Sequence, residues 1–410
     1  MTLAFAFEPS FERAPTNYSV TKAVTPLTKI ADRIANGEPL LNGKTDREVL
    51  SQLLALLEIP KESQVIVYSK TSAQNSRISP RTPRAIYFSD NAYFGWVQNG
   101  NIEAMTFDEK LGPVFHMVKL REREAGKPIE IARERSCLNC HAGSATRDFP
   151  GGLFRSVHSD ERGHPIFHAG TFRTNLESPL SERWGGWYVT GTSGKQTHLG
   201  NIIATENADR NNSEASMERI DPGPRDGTPY LAGKSSDIVA LMIFDHQIHV
   251  HNALTQGNVV ARQTLYRHAE MRKAFNEDVG KELSETNQKI LDGQATKIVR
   301  ALFSADEFHM GNDGIEGSLE FQKAFTKGAL KDDEHRSLRD LRLFDRVFKC
   351  RCSYLIYSDV FAHLPDELKS RVLTRIHGVL TNAAAWPDFD YLTSSECHRI
   401  LNILESTYPD

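Results

Sequence analysis

The feature that most constrains the fold is a change of hydrophobic pattern part-way along the chain. Residues 60–205 contain short β-branched and aromatic runs separated by turn residues, which is typical of strands. Residues 235–410 carry apolar side chains at helical spacing. The sequence therefore predicts an α+β fold, in which an N-terminal domain with a mixed or antiparallel sheet is followed by a mainly helical C-terminal domain.

The domain boundaries follow from the same change. Residues 207–234 are rich in Asn, Asp, Gly, Pro and Ser and lack an apolar period, so we interpret them as a linker or a long loop. We expect an N-terminal extension over 1–43, an α+β domain over 44–206 and a helical domain over 235–410. A chain of 410 residues is long enough for domains with hydrophobic cores of their own.

Individual elements can also be predicted. Thr45 caps an apolar stripe over 44–57, which indicates a helix. Asn99-Gly100 predicts a hairpin turn between strands. The predicted strand regions are 64–69, 85–88, 92–97, 102–107, 153–157, 165–172 and the end of 183–191. The predicted helices are 236–275 with a weak point at Gly257, 281–292, 294–303, 338–348, 354–361, 365–380 and 394–407. Residues 114–120 fit either a helix or a strand.

Charge and hydropathy exclude some partners. The formal charge of −4 is nearly balanced, which argues against a general nucleic-acid or anionic-membrane surface. No window approaches 18 consecutive apolar residues, so we expect no membrane span. We therefore expect protein or small-molecule partners.

One short motif carries specific chemistry, namely Cys137-Leu138-Asn139-Cys140-His141. In a CxxCH motif each Cys thiol forms a thioether with a haem vinyl group, and the His supplies the proximal nitrogen to iron. Two intervening residues let one turn of backbone present both sulfurs to one edge of the macrocycle. We therefore predict one covalently bound haem c, held by Cys137 and Cys140, with His141 on the iron.

Three other interpretations of these cysteines stay open. A zinc site could combine Cys137 and Cys140 with Cys350 and Cys352, although that second pair is closely spaced for a zinc knuckle. A dithiol redox motif would follow a strand, whereas residues 133–136 are charged. The cysteines could also be simple packing residues, which is the interpretation we favour for Cys350, Cys352 and Cys397.

The motif resembles the haem-attachment site of c-type cytochromes. More widely, residues 135–157, 183–191, 245–247 and 353–357 resemble a family of uncharacterised secreted bacterial mono-haem proteins along most of the chain. That resemblance implies an exported haem protein but brings no assigned activity. The strands before and after the motif are also loosely similar to c-type haem sensor domains of PAS-like fold. The helical second half departs from that pattern.

The other face of the iron determines haem function, because a Met or His ligand there favours electron transfer and an open position permits ligand binding or catalysis. Met242, His246 and His249 lie on one face of the long predicted helix, so they are candidate distal ligands. If His246 does not bind iron, it could act as a catalytic acid and base. The alternatives are structural hydrogen bonds or a separate metal site with a carboxylate. His198 and His116 are further ligand candidates.

Two other side chains are candidates for contacts with the porphyrin. Arg183 could pair with a haem propionate, and Trp187 could form a wall of the haem pocket together with Trp184 and Tyr188. A tight core corner that uses Gly185-Gly186 explains the same residues equally well. Arg155 and Arg173 are weaker propionate candidates, and His168 is predicted to lie on a solvated hairpin.

The resulting hypothesis is an exported mono-haem c-type protein in redox chemistry, either an electron carrier or a haem-dependent oxidoreductase. Its partner would be a redox protein, a small-molecule substrate or a gas. The alternatives are a haem-based gas or redox sensor and a zinc-stabilised structural protein. Ala4-Phe5-Ala6 has the form of a signal-peptidase site, so we expect the start of the sequence to be the end of a truncated export signal, with a periplasmic or secreted product.

Overall fold

The computed structural model describes residues 8–124, 127–205, 217–274 and 282–408. The N-terminal half of the described chain is built on an antiparallel sheet, and long helices dominate the C-terminal half, so the predicted α+β class is confirmed. The predicted cleavage site at Ala4-Phe5-Ala6 lies outside the described residues.

The main sheet has six strands in sequential order, and every neighbouring pair is antiparallel. The strands are β1 (Val65–Val67), β2 (Arg84–Ser89), β3 (Ala92–Trp96), β4 (Ile102–Asp108), β5 (Gly112–Val118) and β6 (Ile131–Arg133). Most neighbours are joined by short connections, as the Asn99-Gly100 turn between β3 and β4 predicts. The sheet is therefore an antiparallel meander, and the mixed alternative is wrong.

Alternation along the strands gives the sheet two apolar faces. One face, which includes Tyr87 and Phe94, packs on the N-terminal helices α1 (Pro26–Ala35) and α2 (Asp46–Leu56). Thr45 caps α2 in a capping box with Glu48, which confirms the predicted helix start. The opposite face, which includes Phe88, Tyr93, Met105 and Phe115, belongs to the largest core.

That larger core is formed mainly with helices. The remaining helices are α3 (Leu138–His141), α4 (Ile238–Ala274), α5 (Glu285–Leu302), α6 (Leu319–Thr326), α7 (Asp359–Ala362), α8 (Asp366–Thr381) and α9 (Ser394–Thr407). Helix α4 starts where Asp237 Oδ1 accepts hydrogen bonds from two backbone N–H groups, and most of its first turns are buried. One hydrophobic cluster thus contains residues of the sheet and of α4, α5, α8 and α9. The division into separate domains stays a prediction.

Three small two-stranded sheets complete the described fold. They are formed by β7 (Arg155–Val157) with β8 (Thr171–Arg173), β9 (Ile202–Ala204) with β10 (Met217–Arg219), and β11 (Leu341–Phe344) with β12 (Arg346–Phe348). The first confirms the hairpin predicted after the CxxCH motif. The second places the strand Met217–Arg219 inside the stretch 207–234, so the prediction that this stretch is a linker or a long loop is wrong at these residues.

Several predicted elements differ from the structure. Residues 338–348 form the β11–β12 hairpin rather than a helix, because Leu343 and Asp345 adopt left-handed backbone conformations that turn the chain. Helix α5 continues through Gly293, whose Cα faces open space, so the two predicted helices are one. Gly257 likewise does not interrupt α4; it packs closely against Ile298.

The segment 183–191 makes only isolated bridges. Trp184, Gly186 and Gly191 all have positive φ, which is incompatible with a continuous strand. The tight corner proposed for Gly185-Gly186 agrees with this geometry. Within the described residues, no helix is both long and apolar enough to cross a membrane.

Candidate functional site

The CxxCH motif lies on one helical turn. A 3₁₀ turn over Arg135–Cys137 leads directly into α3, and the side chain of Glu134 accepts a hydrogen bond from Ser136 N (3.0 Å) at its start. Cys137 and Cys140 are three residues apart on this turn, so they project on the same side. Cys137 is half-buried against the core and Cys140 is exposed, and both are free thiols. The spacing of the motif therefore produces the presentation of two sulfurs that thioether attachment requires.

His141 is held by one ring nitrogen. Its Nδ1 lies 2.9 Å from the carbonyl oxygen of Gly151, and Gly151 N in turn donates to the backbone oxygen of His141 (2.8 Å). Because a carbonyl oxygen only accepts, Nδ1 carries the proton and Nε2 keeps its lone pair. Among the described residues Nε2 has no hydrogen-bond partner, and it is not one of the buried polar atoms. The ring packs against Phe115 of β5, with centroids 4.8 Å apart.

The segment that holds His141 is anchored by helix α4. Asn252 accepts a hydrogen bond from Gly152 N and donates one to Gly152 O, both at 2.9 Å. A Cβ on Gly152 would lie 2.3 Å from Ile248, and a Cβ on Gly151 would lie 2.4 Å from Asn252. A side chain at either position would have to displace a side chain of α4, which favours glycine at both. The imidazole of His141 is therefore positioned indirectly by a helix more than a hundred residues later.

The surroundings of the turn favour a neutral imidazole at His141 and a protonated thiol at Cys137. Burial lowers the pKa of His141, and only the neutral ring can bind a metal. Burial raises the pKa of Cys137 to about 12, with Glu103 and Glu134 adding to the effect. A dithiol redox motif needs a cysteine whose pKa is lowered, so this environment argues against that interpretation. Glu103 on β4 itself forms an ion pair with Arg84 on β2 (2.6 Å).

The four-sulfur zinc site, which the sequence left open as an alternative, is not assembled among the described residues. Cys350, Cys352 and Cys397 are all buried in the large hydrophobic core, as expected of packing residues. No group of three or more His, Cys, Asp or Glu side chains suited to a metal ion occurs in the part of the chain that the structure describes. Neither the zinc alternative nor a separate His246–His249 metal site has a donor set here.

The histidines of α4 have structural partners instead. His246 Nε2 is hydrogen-bonded to Ser353 Oγ (2.8 Å), and its ring lies against Phe348 and Tyr354. Burial lowers the pKa of His246 to about 3. Met242 is fully enclosed in the same core. Both residues are thus enclosed by the helical core, where each has a packing role.

His249 and His251 lie in different surroundings. His251 is buried and hydrogen-bonded through Nδ1 to Tyr93 OH (2.8 Å). His249 lines a cavity beside Arg147 and Gly152, close to the segment that follows the motif. Of the three predicted distal ligands, His249 is the one that borders this segment.

Arg183 and Trp187 are also occupied within the core. Arg183 pairs with Asp245 (2.5 Å) and donates to three backbone carbonyls, and neither partner is exposed. Trp187 stacks on Phe154 at 4.7 Å and donates from Nε1 to Arg155 O. These contacts agree with the packing explanation, and the proposed contacts with a porphyrin stay predictions.

The weaker candidates are dispersed. His198 accepts a hydrogen bond from Gly200 N in a turn beside Trp184. His116 on β5 is buried, and neither ring nitrogen has a partner among the described residues. Arg173 and His168 are exposed, the latter as predicted. Within the described chain, none of these side chains is hydrogen-bonded to His141 or packed ring to ring against it.

Several residues that support His141 were not among those predicted from the sequence. Gly151 and Gly152 follow the motif directly and could have been identified as a close-approach pair. Phe115 and Asn252 come from distant elements, so only the fold shows that they support His141. Comparison of the chain with protein-family models, curated proteins and solved structures gives no match.

Proposed function

We propose that this chain is a mono-haem c-type protein in redox chemistry, with haem c held through Cys137, Cys140 and His141. The observation that carries the proposal is the hydrogen bond from His141 Nδ1 to the carbonyl of Gly151, which leaves Nε2 free. Histidines that bind metals almost always donate their other ring N–H to such an acceptor. The chain thus provides the tautomer that a proximal haem ligand requires.

The remaining residues of the turn fit the same group. Cys137 and Cys140 are unpaired thiols on one side of a helical turn, directly before the histidine. When bound, haem c supplies electron transfer or ligand chemistry at its iron. The protein's contribution is to fix His141 through Gly151, to pack its ring on Phe115 and to hold the following segment against α4.

Two activities are compatible with such a site, electron transfer and a haem-dependent oxidation. The size of the chain favours an oxidoreductase, because an electron carrier needs only about a hundred residues. We do not assign acid–base catalysis to His246, since it is bonded to Ser353 and enclosed by aromatic rings. A redox partner protein or a small-molecule substrate is the expected second reactant.

A haem-based sensor is the second candidate, and one observation favours it. Helix α4 is 37 residues long and belongs to the helical core. It contacts the Gly151-Gly152 segment through Asn252. A ligand that moved His141 would therefore act on a helix that the two halves of the protein share. The loose resemblance to haem sensor domains of PAS-like fold belongs to this proposal.

The test begins with the chain produced together with a haem-ligation system and exported. We expect a Soret band that survives acid-acetone extraction, and its loss in the Cys137→Ala/Cys140→Ala double variant. A Cys397→Ala variant serves as the control, because it changes a buried cysteine outside the motif. Colourless wild-type protein, or a double variant that still holds haem, would overturn the proposal.

The spectrum then separates the activities. A low-spin spectrum that ignores added CO indicates a carrier, and turnover of peroxide with an organic donor indicates an oxidoreductase. Tight binding of CO or NO without turnover indicates a sensor. These measurements decide between activities without changing the assignment of the haem ligands.

We also propose that the protein is exported, to the periplasm or beyond. The proposal rests on the small-x-small sequence Ala4-Phe5-Ala6. Fractionation of the host cells tests it, since the protein is expected in the periplasmic or culture fraction, and recovery in the cytoplasm alone would contradict it.

A further inference from the structure

A cavity of about 300 Å³ lies beside the segment that follows the CxxCH motif. Its walls come from residues 145–154, from residues 173–177 and from helices α4 and α5. This volume is at the lower end of the range for small-molecule sites. The cavity thus has room for a compact ligand and is formed by four segments that are distant in sequence.

The charges around the cavity are unbalanced. Arg147, Arg173 and Lys297 line it, and none of them has an ion-pair partner within the described ranges. Arg300 also lines it but is paired with Asp306. Glu177 is the one lining carboxylate, among those described, that has no cationic partner. Three free cations against one free carboxylate favour a ligand with two negative charges.

A buried carboxylate with one oxygen that is unpartnered among the described residues also borders the cavity. Asp245 is 1% exposed and lines the cavity, and its Oδ2 is bonded to Arg183. Its Oδ1 has no hydrogen-bond partner in the described chain. An unsatisfied buried carboxylate oxygen costs free energy, and a ligand hydroxyl or ammonium group that donates to it removes that cost.

We propose that this cavity binds a small dicarboxylate that carries a hydroxyl or amino donor on its chain. The carboxylates face Arg147, Arg173 and Lys297, and the donor bonds to Asp245 Oδ1. His249, Asn252 and Gln256 supply further polar groups along α4. None of these residues belongs to the CxxCH motif, but His249 and Arg173 are also candidates for contacts with haem. Dicarboxylate binding in this cavity and haem attachment at the motif are therefore tested by separate measurements.

Isothermal titration calorimetry with malate, aspartate and succinate tests the proposal on the protein as its host produces it. Succinate has both carboxylates but no donor for Asp245. We expect malate or aspartate to bind about tenfold more tightly than succinate, the value of about one hydrogen bond to a charged acceptor. Absence of binding by all three, or equal affinity for all three, would overturn the proposal.

Variants locate the site. Lys297→Gln and Arg173→Gln each remove one exposed cation and are expected to weaken binding of the preferred ligand about tenfold. Lys289→Gln is the matched control, because Lys289 lies on α5 as well but pairs with Glu285 and does not line the cavity. If Lys289→Gln weakens binding as much as Lys297→Gln, the ligand binds elsewhere and the proposal fails.

Discussion

His141 and His246 are both histidines packed against aromatic rings, but their ring nitrogens are used differently. His141 donates from Nδ1 to a carbonyl and keeps Nε2 free, at a site that is only partly buried. His246 is 1% exposed, and its Nε2 is bonded to Ser353. A ligand position needs one nitrogen anchored and the other accessible, and only the first of these two histidines satisfies both conditions.

The comparison also explains why spacing alone is a weak guide to a ligand. Met242, His246 and His249 share a helical face, which suits a metal or haem edge in the sequence. In the fold that face is divided between the closed core and the cavity, so the three side chains have different environments. The CxxCH turn keeps its pattern because all its residues are adjacent.

The largest expected effect comes from replacing the two histidines in the haem-loaded protein. On the proposed assignment, His141→Ala removes the nitrogen that binds iron, so we expect the native iron coordination and its characteristic absorption bands to be lost. His246→Gln removes a core hydrogen bond and should leave that spectrum unchanged. Absorption spectroscopy of both purified variants measures the difference. A changed spectrum in His246→Gln with a normal His141→Ala would reverse the assignment.

The thiols of the turn provide the next test, on protein made without haem. Burial raises the pKa of Cys137 to about 12, so we expect iodoacetamide to label it about a thousandfold more slowly than an ordinary exposed thiol at neutral pH. Cys140 is exposed and should react first. Mass spectrometry of time points gives both rates, and Cys352 is the internal control for a fully buried thiol. Equally rapid labelling of Cys137 and Cys140 would revive the dithiol interpretation.

A smaller effect is expected from acidification, which tests whether the core keeps His246 neutral. Burial lowers the pKa of His246 to about 3, whereas the unfolded chain protonates this ring near its ordinary pKa of 6.5. Its contribution to stability is therefore complete above 6.5 and is lost as the pH falls toward about 3. Between about pH 7 and pH 5 we expect this residue alone to cost the wild type about 2 kcal/mol.

Urea unfolding of the wild type and of His246→Gln at both pH values checks this expectation. The stability difference between the two proteins should shrink on acidification, because the variant lacks the titrating group. A constant difference would show that His246 is not held neutral by the core.

An effect of similar size concerns the segment that anchors His141. Gly152→Ala places a Cβ 2.3 Å from Ile248 Cδ1, which should cost about 1–3 kcal/mol of unfolding free energy. Gly143→Ala is the matched control, since its nearest neighbour would lie 4.0 Å away. Ile248→Val removes the clashing atom and should restore part of the loss in a double variant. Urea unfolding measures all three; equal stability of the two single variants would contradict the close contact with α4.

Much of the local structure follows from short patterns. Thr45 caps the predicted helix start, Asn99-Gly100 lies in the predicted connection between β3 and β4, and α9 has the predicted limits. The connection spans residues 97–101, so it is longer than the two-residue turn that Asn99-Gly100 predicts. The agreement arises because caps, turns and amphipathic periods depend on neighbours within a few residues. The prediction of a helix over 338–348 was wrong for the opposite reason, since the positive φ values of Leu343 and Asp345 depend on their surroundings.

The sequence by itself determined the haem-attachment hypothesis, the α+β class and the presence of a long helix after residue 235. Only the tertiary structure decided which histidines have a free nitrogen. It also decided that Arg183 forms an ion pair with Asp245, and that Asn252 is hydrogen-bonded to the backbone of Gly152 near His141. The physical reason is range. A CxxCH turn is set by five consecutive residues, whereas burial and hydrogen-bond partners depend on which distant segments pack together.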